Sequence, residues 1–79
     1  MPQINIEKTK ELLKKDDIQV DSFALKILLQ QQRVRCNLSN DEQTLTESIK
    51  KIEEFFNKMK SLDTVKRDFK KIYGRELDA

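Results

Sequence analysis

"LLQQQRVRCNLSNDEQ", residues 28–43, decides how this chain divides into helices. Three glutamines and two arginines, side chains that read base edges in a DNA groove, run into a cysteine and then a polar string. Two features make the stretch a boundary. Arg33 and Arg35 suit the last turn of a helix, where cations meet the negative end of the dipole and the final free carbonyls. Ser39-Asn40-Asp41-Glu42 has the spacing of a capping box: the Ser39 hydroxyl accepts from the Glu42 amide, and the Glu42 side chain returns to the Ser39 amide. This predicts a helix ending near Val34, a linker at Cys36 and Asn37, and a new helix from Asn40.

On the C-terminal side, Leu45, Ile49, Ile52, Phe56 and Met59 repeat at spacings of four and three, a heptad seam flanked by Ser48 and Phe55. From Asn40 to Lys60 such a helix would measure about 30 Å and be the longest in the chain. Beyond it, Leu62, Val65, Phe69, Ile72 and Tyr73 share one side of a last helix that Asp63 can cap. Neither Gly nor Pro separates the two helices. A break near residues 61–64 is expected because burying Phe69 and Ile72 in a compact chain requires a turn. Gly74, the single glycine, stands where a left-handed C-cap belongs. The tail, residues 75–79, is expected to be ragged, with Leu77 folding back.

On the N-terminal side, Phe23, Ala24, Leu25, Ile27, Leu28 and Leu29 wrap more than half of a helix that Asp21 or Ser22 can cap. An apolar surface this wide predicts the central, most buried helix. Ahead of it, Asn5 suits the N-cap of a first helix reaching Lys15, with Ile6, Thr9, Leu12 and Leu13 along one side. Ile4 and Ile6 alternate with Gln3 and Asn5, which equally suits a short extended arm over residues 1–6.

Composition supports the same architecture. Ile, Leu, Val and Phe supply 23 of the 79 residues, above the range in which a chain stays disordered. One Gly and one Pro leave little turn chemistry for a meander of short strands. The expected fold is therefore all-α: a small bundle of three to four helices with one long helix near residues 40–60, forming a single helical domain over residues 1–79.

The same inventory narrows function. With no His and a single Cys, the commonest metal ligands and proton carriers are missing, and Cys36 has no internal disulfide partner. The cluster Asp16, Asp17 and Asp21 lacks the glycine and terminal glutamate of a calcium loop. Glu53 and Glu54 point apart on a helix. No catalytic residues, metal or cofactor are expected, and the chain is not read as an enzyme. No apolar run approaches 18 residues and no basic-then-apolar leader opens the chain, so a cytoplasmic protein without membrane contact is expected.

Two readings of function follow. The first is a small protein–protein interaction module, a regulator, adaptor or inhibitor that binds a partner protein through apolar positions left over after folding. Phe55, Phe56, Met59 and Tyr73 are its candidate contacts, and a homodimer is a candidate state because small cores gain from association. The alternative is a DNA- or RNA-binding regulator. The net charge is only +2, but Lys66, Arg67, Lys70 and Lys71 fall opposite the apolar side of the last helix. They form a basic face able to hold phosphates, to which Arg33 and Arg35 could add.

Overall fold

The computed structural model describes residues 3–77, which form a compact all-α bundle of four helices measuring 33 × 23 × 19 Å. In chain order these are α1 (Ile6–Lys14), α2 (Phe23–Ser39), α3 (Glu42–Lys58) and α4 (Asp63–Tyr73). Residues 1, 2, 78 and 79, which include the start of the expected arm and the end of the expected ragged tail, lie outside the described residues.

The first helix starts as its sequence predicts. The Asn5 side chain accepts from the Lys8 amide at 3.1 Å, and the helix closes at Lys15 in extended conformation. Asn5 is therefore a cap, and Ile6 is already helical. Thr9, Leu12 and Leu13 turn inward while Ile6 stays exposed. Ser22, rather than Asp21, caps α2, its hydroxyl accepting from the Leu25 amide at 3.3 Å.

The end of α2 departs from expectation. The helix runs five residues past Val34, through Cys36, Asn37 and Ser39. No Gly or Pro interrupts this run, and nothing in it disfavours helix strongly enough to stop it. The chain turns at Asn40, which takes left-handed dihedrals (φ 50°, ψ 36°), a conformation asparagine tolerates better than other non-glycine residues. The predicted capping box does not form. Ser39 is the last residue of α2, and its hydroxyl donates back to the Arg35 carbonyl at 3.1 Å. Asp41 is the N-cap of α3 instead, accepting from the Thr44 amide at 2.7 Å. Two residues, Asn40 and Asp41, thus make the whole α2–α3 connection, a tight helical hairpin.

That amide holds the Asp41 carboxyl below its ordinary pKa of 3.8. A folded pKa below the unfolded one makes the charged cap fully stabilising above pH 3.8, with the contribution lost as pH falls through the lowered value. Asp41→Asn keeps an acceptor at the cap without a titrating group. Its melting temperature is expected to fall less steeply below pH 3.8 than that of the wild type. Parallel melting curves in that window would remove the role given to Asp41.

The seam of α3 packs as predicted. Ile49, Ile52 and Phe56 are buried, and Leu45 and Met59 lie half-buried at its ends. At 17 residues α3 matches α2 in length rather than exceeding it. Nor is α2 the most buried helix: it buries Leu25, Leu29 and Gln32 of its 17 residues, whereas the shorter α4 buries Val65, Asp68, Phe69 and Tyr73 of its 11. The helices α3 and α4 are separate, joined by a turn in which the Leu62 amide donates to the Met59 carbonyl at 3.1 Å. Leu62 occupies the α4 N-cap without a side-chain bond, so Asp63 opens the helix rather than capping it. Gly74 ends α4 at φ 70°, and Leu77 folds back into the core.

The centre of the core is aromatic. The Phe56 ring meets Phe69 edge-on at 5.1 Å and Tyr73 at 6.0 Å between centroids. The Tyr73 hydroxyl pairs with Thr9 at 2.8 Å, giving the buried phenol the polar partner it needs. Burial raises the Tyr73 pKa. Ile18 and Val65 fill the remaining space from the α1–α2 loop and α4.

Candidate functional site

The glutamine–arginine stretch sits on α2, and most of it is committed to packing. Gln32 is buried and accepts from the Ser48 hydroxyl of α3 at 3.0 Å. Cys36 donates to the same Ser48 hydroxyl at 3.4 Å. Arg35 reaches Gln32 at 3.4 Å and Glu47 of α3 at 3.1 Å. These bonds form a polar ladder along the α2–α3 contact. Arg33, two residues from Arg35 and so on the other side of the helix, meets Asp16 of the α1–α2 loop at 3.5 Å. The two arginines therefore do not form one patch. Each answers a carboxylate of its own chain.

The candidate partner contacts divide in two. Phe56 and Tyr73 are buried in the aromatic core and offer no surface, because α4 covers Phe56 and turns Tyr73 inward against it and Thr9. Phe55 and Met59 remain half-buried. They flank an open groove of ≈ 630 Å³ between α2 and α3, with Leu28 and Gln31 on the α2 side and Lys51 and Lys58 on the α3 side. A second groove of ≈ 510 Å³ lies between α1 and α3, where exposed Ile6 meets Leu45 and Ile49.

On α4 the basic residues Lys66, Arg67, Lys70 and Lys71 are all exposed. Lys70 pairs with Glu76 at 2.9 Å, and this bond raises its pKa. Asp68, which the sequence places among these cations, instead points inward and is fully buried. Its two carboxylate oxygens accept from the Asp21 and Ser22 amides, each at 2.7 Å. A negative group thus sits on the positive end of the α2 dipole and satisfies amides that helix termini leave free. Nothing in the spacing of Asp68 signals this role, since the partners lie 46 and 47 residues away.

An exposed apolar stripe on α2 was not among the expected sites. Phe23 is 76% exposed, Leu38 83%, Val34 48% and Ile27 43%, and all four belong to α2. The helix expected to be the most buried is apolar on two opposite sides, and the bundle covers only the side of Leu25 and Leu29. Seventy-nine residues do not supply enough apolar surface to cover both.

No family model, curated protein or solved structure matches the chain.

Among the described residues no three Cys, Asp or Glu side chains group as a metal site would need. No helix there is long and apolar enough to cross a membrane.

Proposed function

We propose that the protein is an interaction module: it acts by binding a partner protein, as a regulator, adaptor or inhibitor, and not by catalysis. The observation that carries this reading is the α2–α3 groove. Phe55 and Met59 stay half-exposed at its edge although both pack against the core. Half-exposed aromatic and methionine side chains in an open groove are the residue types enriched where proteins meet. Lys51 and Lys58 beside them suit a partner segment that carries acids next to its apolar residues.

The test compares wild type with a Phe55→Glu, Met59→Glu double variant whose helix content is unchanged by circular dichroism. Immobilised wild type is expected to retain one protein in stoichiometric amount from nuclease-treated extract of the native host, and the double variant is expected to lose it. Equal retention by both proteins would count against the groove.

One observation favours nucleic acid as a second reading. With Asp68 turned inward, Lys66, Arg67 and Lys71 keep less opposing charge beside them than the sequence suggests, while Lys70 is held by Glu76. On this reading, retained material disappears with nuclease. It also disappears on reversal of Lys66, Lys70 and Lys71 to Glu, but survives the groove substitutions.

A further inference from the structure

We infer that the exposed face of α2 is a homodimer interface, on which α2 of a second copy lies antiparallel. At about 100° per residue, Phe23, Ile27, Val34 and Leu38 fall within an arc of about 60°. That arc is opposite the packed side of Leu25, Leu29 and Gln32. The stripe is about 22 Å long.

Its residues are arranged symmetrically about the midpoint between Gln30 and Gln31. Phe23 and Leu38 are equidistant from that point, as are Ile27 and Val34. A two-fold axis there, perpendicular to the helix, makes the surface complementary to itself, the requirement for an isologous dimer. Phe23 then packs on Leu38 of the partner subunit, and Ile27 packs on Val34 of the partner subunit. Each large terminal side chain meets another, and each β-branched residue meets its like. Antiparallel helices also place opposite dipole ends together.

The glutamines complete the arrangement. Gln30 and Gln31 flank the stripe at its centre, one on each side. A two-fold axis brings each beside the same residue of the second copy. A primary amide is both donor and acceptor, so the paired glutamines satisfy one another. Polar residues at the middle of an otherwise apolar seam fix register. Charge is a small obstacle: α2 contains no acid, its two arginines are each held by a carboxylate of their own chain, and the two-fold axis sets the remaining cation, Lys26, about 13 Å along the helix from its counterpart. The four apolar side chains expose on the order of 400 Å², within the roughly 300–600 Å² of the largest patch on a typical monomer, a size that is often functional. With the glutamines and the Lys26 stem the face offers roughly 600 Å² per partner, at the small end of specific interfaces.

This surface adjoins the α2–α3 groove only at Gln31, and the substitutions that test each lie outside the other, so failure of one proposal is distinguishable from failure of the other. Sedimentation equilibrium of wild type is expected to give twice the 9.4 kDa chain mass. An Ile27→Asp, Val34→Asp variant is expected to give the single-chain mass with its helix content retained, and Phe55→Glu, Met59→Glu should stay dimeric. Orientation is read from cysteines placed in a Cys36→Ser background and treated with a short bismaleimide. Gln31→Cys is expected to cross-link to itself, Phe23→Cys alone is not, and a mixture of Phe23→Cys with Leu38→Cys is. A wild type that remains single-chain up to millimolar concentration overturns the proposal. So does a dimer that survives the aspartates, and self-cross-linking at Phe23 overturns the antiparallel arrangement.

Discussion

Replacing Asp68 with Ala is expected to destabilise the fold by roughly 3 kcal/mol, the scale of two hydrogen bonds to a charged group less what water recovers. The carboxylate is fully buried and accepts from two amides at 2.7 Å. Alanine leaves both donors facing an apolar space that solvent enters poorly. It also frees α4 from the start of α2. A domain of this length has a total stability of about 4–12 kcal/mol, so the loss is a large share of it. Asp68→Asn keeps one acceptor but turns its NH₂ group toward the second amide, and should lie between wild type and alanine. Asp63→Ala, on the same helix but exposed, should change little. Urea denaturation at constant slope measures all three. A loss below about 1 kcal/mol for Asp68→Ala would mean the two amides find other partners.

Phe56→Ala is expected to cost about 3–5 kcal/mol, the range for deleting a buried aromatic ring. Phe56 is fully buried and stands edge-on to Phe55, Phe69 and Tyr73. Its removal opens a cavity between α3 and α4 and breaks three aromatic contacts. Phe55→Ala, one residue away on a half-exposed position, should cost far less. The contrast separates the core from the groove on neighbouring residues, so comparable losses at both positions would contradict the packing described. Phe56→Leu refills part of the space and should recover much of the stability. Thermal unfolding of the three variants supplies the comparison.

Helix number, the seam of α3, the Gly74 cap and the return of Leu77 were legible in the sequence because each depends on local spacing or on one residue's backbone preference. The α2–α3 turn was legible only in part. Ser39, Asn40 and Asp41 all favour helix boundaries, and the choice among them rests on which geometry lets α2 and α3 pack together. The candidate contacts show the same limit. Phe55 and Phe56 are adjacent and chemically identical, and only the path of α4 decides that one is core and the other rim. Arg33 and Arg35 read as last-turn cations, whereas α2 runs on to Ser39 and the folded chain brings Asp16 and Glu47 to them. The exposed stripe on α2 was hidden by the assumption that apolar residues all round a helix imply burial all round. The symmetric placement of Phe23, Ile27, Val34 and Leu38 was nonetheless present in the sequence.

The inward turn of Asp68 has a consequence for how the chain acquires its shape during synthesis. Ribosomes add about 5–20 residues per second, so Ser22 waits on the order of seconds for the carboxylate, 46 residues downstream, that occupies its amide. Through that interval α1, α2 and α3 can associate through neighbouring contacts, but the first turn of α2 stays hydrated and the ring of Phe56 lacks its cover. One late helix thus closes two distant openings together, through Asp68 at one and Phe69 and Tyr73 at the other. Completion of the fold is tied to the arrival of its last helix, and a nascent chain stalled before residue 68 would expose the same surfaces that the finished protein conceals.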